Sequence, residues 1–267
     1  MAIQECAMKL ALVGLGIRGT NQLTLEAIEK LKSSRCVLVH ASKSIVNSLE
    51  QLLPTKIIGI KDLYKNGEVD EKNYKCILDR ILEEAKCSPE GSLISVVIAG
   101  HPRVGVTLST WLDSIANDYQ LELEVIPGIS SFDTMLVDLQ RDPLERGSIL
   151  LDVNRLLLFG YQIDPTLDLY IYHVCSIGTR RTHFLTPEKE NKIDLLAKKL
   201  SSIYAADHPV TLIGCSEAVG SLPIKVDCNV GSLTELLPKI TFSTTLFVPA
   251  QTPKRVDRLF LKELQSN

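Results

Sequence analysis

Residues 10–20 read LALVGLGIRGT, an apolar run that leads into a loop containing Gly14, Gly16 and Gly19. The apolar run has the length and residue types of a buried strand. The spacing G-x-G-x-x-G is the one that dinucleotide-binding folds place between their first strand and first helix, where a pyrophosphate binds. This stretch therefore predicts an α/β fold with a ligand at the end of the first strand. The surrounding sequence decides which ligand.

The next apolar run argues against a dinucleotide. Such folds carry an acidic residue about twenty positions after the glycines, where it binds the ribose. Here the second run ends in VLVHASKS (37–44), which has no carboxylate. The following helix also starts late, with Asn21 or Thr24 as its cap, so that Gly19 lies in the loop and a phosphate would lack a helix N-terminus. A loop that only turns tightly is the simplest alternative.

In the first half of the chain, apolar runs of strand length alternate with segments of helical period, which is typical of parallel sheets covered by helices. The predicted strands are 9–14, 35–41, 56–60, 93–100 and 121–127. The predicted helices are 24–34, 45–53, 72–87 and 106–119. The first half is therefore predicted to be an open five-stranded α/β domain.

The second half has fewer helices, and its strands are closer together. Its predicted strands are 155–161, 166–178, 209–216, 222–228 and 244–250. Its predicted helices are one beginning near Ser130 or Ser131, one over 189–206 and one near 233–239. We expect an α/β fold of two domains, an N-terminal domain over 1–127 and a mixed-sheet domain over 128–267. The cleft between them is the expected ligand site.

Composition narrows the class of protein. The 267 residues carry 29 Lys and Arg against 32 Asp and Glu, and like charges are not clustered, so a nucleic acid is not an expected partner. The seven cysteines, Cys6 among them, form no C-x-x-C and are odd in number, which favours a reducing cytoplasm. The sequence shows no signal peptide and no apolar run long enough to span a membrane. The five dispersed histidines predict no metal site.

Glycines recur at the ends of three predicted strands. They occur in VGLG (13–16), in AGHPRVG (99–105) and in PGISS (127–131). The carboxyl ends of neighbouring parallel strands meet at one edge of a sheet, and glycine lets the main chain approach a ligand there.

In this arrangement the chain resembles the tetrapyrrole methylase superfamily of S-adenosylmethionine-dependent methyltransferases over nearly its whole length. The matching segments, in family order, are VGLG with LTLEA (23–27), AGHP (99–102), PGISS, and STTLFVPA (243–250). A closer match is to the borosin-type peptide backbone N-methyltransferases of that superfamily. It rests on NGEV (66–69), GHP-x-V (100–104), VDLQRDP (137–143) and ADHPV (206–210). Precorrin-type methylases more often have an acid at the position of His101, which favours the peptide enzymes.

The resemblance implies that S-adenosylmethionine binds in the cleft between two α/β domains, largely through main-chain atoms. The implied cofactor-binding residues are Gly14, Gly16, Gly100, His101, Val104, Gly105, Ser130, Ser131, His173, Ala218 and Thr244. For His101 the alternative is a turn-shaping role before Pro102. For His173 the alternative is a core histidine with its hydrogen bonds satisfied.

The resemblance also implies an arginine and tyrosines as catalytic groups, because an amide is a poor acid and its developing oxyanion must be stabilised. Tyr64 and Tyr74 match the tyrosines, and half-buried structural aromatics are the alternative. The arginine position holds Asp70. Lys72 is the only cation within GEVDEKNY (67–74), so either Lys72 substitutes from a loop or the chemistry is altered or lost.

The sequence therefore predicts a methyltransferase that uses S-adenosylmethionine, acts on a peptide supplied as a separate molecule, and forms a homodimer as the resembled family does. The peptide is expected to be separate because the chain ends close to where the catalytic fold should end. Methylation of a tetrapyrrole or small molecule is one alternative. A cofactor-binding protein without turnover is the other.

Overall fold

The first half of the chain folds as a parallel sheet of five strands. In this computed structural model, which describes residues 8–253 and 256–266, the strand order is β3-β2-β4-β1-β5 and every described pair is parallel. The strands are β1 (Met8–Gly14), β2 (Cys36–His40), β3 (Lys56–Gly59), β4 (Leu93–Ile98) and β5 (Leu121–Ile126). The helices between them are α1 (Leu25–Ser33), α2 (Lys43–Leu52), α3 (Asp70–Cys87) and α4 (Thr107–Ile115). The predicted open α/β architecture is confirmed.

Helices cover both faces of this sheet. Alternate residues of β1 point to opposite faces, so Leu10 and Leu12 belong to one apolar cluster and Ala11 and Val13 to another. Because both faces are covered, β1 is an almost continuous apolar run, as expected for a buried parallel strand. The carboxyl ends of the strands are left as the open edge.

The second half forms a mixed sheet, which confirms the prediction. Its strands are β6 (Ser148–Asp152), β7 (Asp168–Tyr172), β8 (Pro209–Gly214), β9 (Ile224–Asn229) and β10 (Thr244–Val248), in the order β6-β7-β10-β8-β9. Within this second sheet, β6 and β7 are the only described neighbours that pair in parallel, and its other pairs are antiparallel. The helices are α5 (Ser131–Leu139), α6 (Val153–Phe159), α7 (Ile193–Ser201) and α8 (Arg258–Gln265), with a 3-10 segment at Val230–Lys239.

Three predictions for the second half were wrong in detail. The predicted strand 155–161 is helix α6, and the strand β6 that precedes it was missed. The predicted strand 166–178 ends at Tyr172, because His173 adopts a left-handed conformation with φ of 60°. The long predicted helix 189–206 is only nine residues long, and α8 was not predicted.

The domain boundary at 127/128 stays a prediction. Helix α5 follows it and packs through Met135 on the second sheet, against Tyr170, Ile213 and Phe247. In the described part of the chain, no helix combines the length and apolar character that crossing a membrane requires. Cys6 lies outside the described residues.

Candidate active-site cleft

Glycines at the carboxyl ends of β1, β4 and β5 touch one another. A Cβ placed on Gly14 would lie 2.5 Å from the nitrogen of Gly128 and 2.8 Å from the carbonyl oxygen of Gly100. Gly16 and Gly100 form an isolated antiparallel bridge with N–H···O distances of 3.3 and 2.9 Å. We call Gly14, Gly16, Gly100 and Gly128 the glycine junction. Gly128 was not among the predicted cofactor-binding residues, although the sequence PGISS contains it.

The loop after β1 is closed by side chains that the sequence analysis did not single out. The Gln22 side-chain oxygen accepts hydrogen bonds from the nitrogens of Ile17 and Arg18, at 2.6 and 2.8 Å. Arg18 crosses to the second half, where its guanidinium bonds the hydroxyl of Ser216 and lies 3.9 Å from the carboxylate of Asp138. Their sequence separation, with no motif to join them, explains why they were missed. Gly19 has φ of 63° and packs on Ile45, so its role is structural.

The segment GHPRVG forms the adjacent edge of the cleft. The ring nitrogen Nδ1 of His101 accepts a hydrogen bond of 3.0 Å from the nitrogen of Arg103, and Val104 donates to the carbonyl of His101. This geometry is that of a turn-shaping histidine. Gly105, with φ of 68°, faces the ring of His173, so the loop touches the second half of the chain.

The segment PGISS begins α5. The Ser130 side chain accepts from the nitrogen of Asp133 at 3.2 Å, and the Asp133 carboxylate accepts from the nitrogen of Ser130 at 2.7 Å, which together form a capping box. Ser131 is the first residue of α5, and its carbonyl accepts from the Cys215 thiol at 3.4 Å. Both predicted serines therefore lie where α5 approaches the end of β8.

Thr244 and Ala218 lie on the second half of the chain. Thr244 pairs with Gly214 across β10 and β8, and its hydroxyl is buried and donates to the Thr241 carbonyl at 2.9 Å. Ala218 lies on an exposed turn closed by Ser221. The hydroxyl of Thr244 is thus already committed within the chain, whereas the backbone turn at Ala218 faces solvent.

His173 is not a core residue. Its side chain is 42% exposed, and its Nδ1 lies 2.7 Å from the Oδ2 of Asp152. The other carboxylate oxygen of Asp152 caps α6 by accepting from the nitrogen of Arg155 at 2.8 Å. Burial favours a raised pKa for Asp152, but the hydrogen bonds from His173 and Arg155 outweigh it and lower the pKa.

The structure brings Tyr64 and Tyr74 together. Their rings meet edge to face, with centroids 5.6 Å apart, and Tyr74 similarly meets Trp111 at 6.2 Å. Burial, with the neighbouring Tyr74, raises the pKa of Tyr64, and burial, followed by the charge of Asp70, raises the pKa of Tyr74. Both side chains are therefore neutral phenols at neutral pH, able to donate hydrogen bonds.

Asp70, at the position where the resemblance implies an arginine, is held by hydrogen bonds. The Tyr64 hydroxyl donates to one carboxylate oxygen at 2.8 Å, and the Thr182 hydroxyl donates to the other at 3.0 Å. Thr182 belongs to residues 179–185, which we call the strap. The strap runs antiparallel to the loop before α3, with the Gly67 nitrogen donating to the Thr182 carbonyl at 2.9 Å. The strap thus joins the second half of the chain to the aromatic pair.

Lys72 lies away from this arrangement. Its side chain is 67% exposed, and its ammonium lies 2.6 Å from the carboxylate of Glu68, one turn earlier. The structure therefore brings together Tyr64, Asp70 and Tyr74 and leaves Lys72 paired at the surface.

A groove of about 550 Å³ opens at the opposite edge of the first sheet, near the amino ends of its strands. Lysines that line it pair with glutamates that also line it, Lys30 with Glu124 at 2.7 Å and Lys9 with Glu122 at 3.9 Å. In parallel α/β sheets ligands bind at the carboxyl ends of the strands. The glycine junction is therefore the candidate site, and the groove lies at the other end of the strands.

Comparison with protein families identifies the fold. Residues 9–214 match the family model described as Tetrapyrrole (Corrin/Porphyrin) Methylases. The chain belongs to the tetrapyrrole methylase family. This confirms the resemblance to the tetrapyrrole methylase superfamily that the sequence motifs indicated.

Among curated proteins, similar ones are fusions of a methyltransferase with a peptide precursor. The precursor of the cyclic peptide omphalotin A from Omphalotus olearius is 23% identical over 268 residues, covering 98% of this chain and 62% of that protein. A type III borosin cyclic peptide precursor from Anomoporia bombycina is 30% identical over 207 residues, covering 76% of this chain and 23% of that protein. The chain spans about 62% of the length of the first of these relatives.

Solved structures of similar fold include methyltransferases. Uroporphyrin-III C-methyltransferase from Thermus thermophilus, complexed with S-adenosyl homocysteine, has a TM-score of 0.59 and 16% identity, covering 90% of this chain and 97% of that one. The methyltransferase CobJ has a TM-score of 0.60 and 11% identity, covering 94% of this chain and 98% of that one. At these identities the likeness concerns the fold alone.

Proposed function

We propose that the protein is an S-adenosylmethionine-dependent methyltransferase that methylates backbone amides of a peptide. The observation that carries this proposal is the position of Tyr64 and Tyr74 beside the cleft of a tetrapyrrole methylase fold. The similar curated proteins are described as methyltransferases fused to cyclic peptide precursors, which supports a peptide substrate.

The cleft suits S-adenosylmethionine in its chemistry. The cofactor has no phosphate, and the glycine junction offers closely packed main chain in place of a helix N-terminus for an anion. Gly105 leaves open the space beside the ring of His173, where a Cβ would lie 3.2 Å from Nε2. The bound cofactor supplies a methyl group on a sulfonium, and the main chain around Gly16, Gly100 and Gly105 is the part of this chain proposed to hold it.

The aromatic pair supplies what amide methylation needs. Loss of the amide proton leaves negative charge on the amide oxygen, and a neutral phenol stabilises that charge by donating a hydrogen bond. The proton of Tyr64 is already directed to Asp70. Tyr74 is therefore the proposed donor to the substrate oxygen, and Tyr64 with Asp70 orients it.

Replacement of Tyr74 tests this role. We expect Tyr74→Phe to lower kcat by about 10²-fold or more, as the loss of one oxyanion donor does, while S-adenosylhomocysteine affinity is retained. Mass spectrometry of a candidate peptide counts the methyl groups added. Tyr119→Phe, which removes an exposed hydroxyl beside Lys86, is the matched control. Turnover in Tyr74→Phe equal to wild type would exclude Tyr74 from catalysis.

The cofactor is tested separately by calorimetry. We expect S-adenosylhomocysteine to bind and NAD not to bind. Preferential binding of NAD would contradict the proposed function. The peptide encoded beside the gene is the first substrate to test, and methylation on backbone amides in steps of one methyl is the expected result.

Asp70 favours a second candidate function, a cofactor-binding protein without turnover. A carboxylate stands where the resemblance implies a cation, and Tyr64 and Thr182 hold it in place. S-adenosylhomocysteine binding with no mass gain on peptides or small-molecule extracts would favour this candidate. Mass gain at carbon on a tetrapyrrole would instead favour a tetrapyrrole methyltransferase, which is the activity named for a solved structure of similar fold.

We also propose a homodimer in the cytoplasm. The homodimer is expected from the family resemblance, and light scattering after size-exclusion chromatography measures it. The cytoplasm is proposed because the six described cysteines are free thiols. Cell fractionation tests the location.

A further inference from the structure

His173 and Asp152 form a pair of side chains that the proposed function does not yet use. We propose that His173, oriented by Asp152, accepts the proton that the nucleophile loses during methyl transfer. This inference rests on the proposed function and adds the base to it.

His173 has an unusual backbone conformation. It is one of four described residues other than glycine with positive φ, at φ of 60° and ψ of 31°. A side chain in the left-handed region costs free energy, and such strain concentrates at functional sites. Here it ends β7 abruptly and turns the imidazole towards the cleft instead of continuing the strand into the core.

Asp152 determines which ring nitrogen of His173 carries a proton. An ionised carboxylate only accepts hydrogen bonds, so Nδ1 of His173, at 2.7 Å from Asp152, carries the proton. In the neutral ring with this tautomer, the lone pair is on the other nitrogen, Nε2. None of the described residues hydrogen-bonds to Nε2. A base oriented by a carboxylate through its far nitrogen is the arrangement that general-base catalysis uses.

Nε2 of His173 faces Gly105. A Cβ on Gly105 would lie 3.2 Å from Nε2 and 3.3 Å from Cε1. The glycine therefore leaves open the space in front of the free nitrogen. Since Gly105 belongs to the loop that borders the proposed cofactor site, Nε2 faces the cleft between the two halves of the chain.

Cys175, two residues after His173, links the pair to the aromatic residues. Burial raises the pKa of the Cys175 thiol to about 11, and the charges of both Asp70 and Asp152 contribute to the rise. The charges of both carboxylates therefore act on the same thiol, on the 3-10 turn that follows His173. The pair thus reaches the cleft from the second half of the chain, and Tyr64 and Tyr74 reach it from the first.

The step balances as follows. The nucleophile's electron pair forms the new bond to the methyl carbon while the carbon–sulfur bond of the sulfonium breaks and its electrons stay on sulfur. The nucleophile's proton passes to Nε2 of His173, giving an imidazolium paired with the Asp152 carboxylate. Solvent then removes that proton through the exposed side of the ring. Asp152 acts through His173 and is a positioning residue.

Three variants test the pair. His173→Asn removes the base with a residue that tolerates positive φ, and His173→Gly also leaves a space that free imidazole can fill. Asp152→Asn keeps an oxygen to cap α6, because Asn is as good a cap as Asp, and places its NH2 group, which only donates, against Nδ1. His208→Gln is the matched control, since His208 stacks on Tyr204 and bonds the Pro249 carbonyl at the other end of β8.

With the peptide that the wild-type protein methylates, we expect His173→Asn to lower kcat by about 10²-fold or more and to lose the acid limb of the pH profile. Free imidazole should restore turnover in His173→Gly. Asp152 and Tyr172 contact the ring, and the other groups that enter the profile are Arg155, through its charge on Asp152, and Cys175, on the 3-10 turn that follows His173. In Asp152→Asn we expect lower kcat with KM little changed.

A readout without substrate separates this role from a structural one. Nuclear magnetic resonance of protein with ¹⁵N-labelled histidine reports the tautomer. We expect Nδ1 of His173 protonated in wild type and the opposite tautomer populated in Asp152→Asn. Three results would each overturn the proposal. One is a kcat and pH profile unchanged in His173→Asn, and another is a wild-type ring protonated at Nε2. The third is a His173→Asn variant that loses S-adenosylhomocysteine affinity but retains kcat at saturation. Failure of wild type to bind S-adenosylhomocysteine would instead overturn the proposed function and, with it, this role.

Discussion

Gly14 shows what the sequence motif contributes at the scale of a residue. We expect Gly14→Ala to destabilise the protein by about 1–3 kcal/mol, the range typical of overpacking in a rigid core. The nearest atoms to the new Cβ are backbone atoms of Gly128 and Gly100, at 2.5 and 2.8 Å, so no side chain can move aside. Urea denaturation measures the free energy of unfolding.

The control for Gly14→Ala is Gly59→Ala at the end of β3. Gly59 has ordinary φ, and the nearest contact of its added Cβ is a Val46 methyl at 3.4 Å. Its effect should stay within about 1 kcal/mol, because Ala also reduces the entropy of the unfolded chain. Equal losses in the two variants would contradict a special role of the glycine junction.

Residues of the site were predictable where one short segment carries the signal. Gly14, Gly16 and Gly100 stand in visible glycine motifs, and the structure joins them. Arg18 carries no such signal, because its contact with Ser216 depends on how two distant segments pack. The sequence also offered Lys72 as a cation, but helix geometry turns it towards Glu68 and solvent.

At the scale of an element, Ser130 decides where α5 begins. Ser130→Ala removes the acceptor for the Asp133 nitrogen and leaves one N–H of the first turn unsatisfied. We expect a loss of about 1 kcal/mol in the free energy of unfolding, measured by urea denaturation. Ser130→Asn should keep most of the stability because Asn caps equally well. Equal losses in both variants would show that Ser130 contributes something other than the cap.

Elements were predictable where the hydrophobic period agreed with the residues that begin and end helices and strands. They were not predictable where an apolar run was short. All five strands of the first sheet were predicted because helices of clear period separate them. The run RLLLF was predicted as strand and forms α6, because a short apolar run fits a strand or a buried helix equally. Asp152 as cap and Gly160 in the left-handed conformation were the local signals for a helix.

At the scale of the whole molecule, arginine ion pairs join the halves of the chain, and burial distinguishes the two described pairs. Arg18 reaches Asp138, whose side chain is only 7% exposed, whereas Arg180 pairs with Glu71, whose side chain is 59% exposed. A charge kept from water depends on its partner far more than a solvated one does. The Arg18 contact is therefore expected to contribute more to stability than the Arg180 contact, although each joins the same two halves.

Replacing each arginine by alanine separates these contributions. Arg18→Ala leaves the Asp138 carboxylate without its cation and should cost about 1–3 kcal/mol of stability, while Arg180→Ala should cost under about 1 kcal/mol. Because Arg18 follows the glycine junction, its loss should also weaken S-adenosylhomocysteine binding. It should speed amide exchange at residues 216–221 as well, since this segment begins with Ser216, the partner of Arg18 in the second half. Urea denaturation, calorimetry and hydrogen exchange measure the three effects. If Arg18→Ala lowered stability without changing exchange at 216–221, Arg18 would stabilise its own loop only, and the two halves would be held together by the strap.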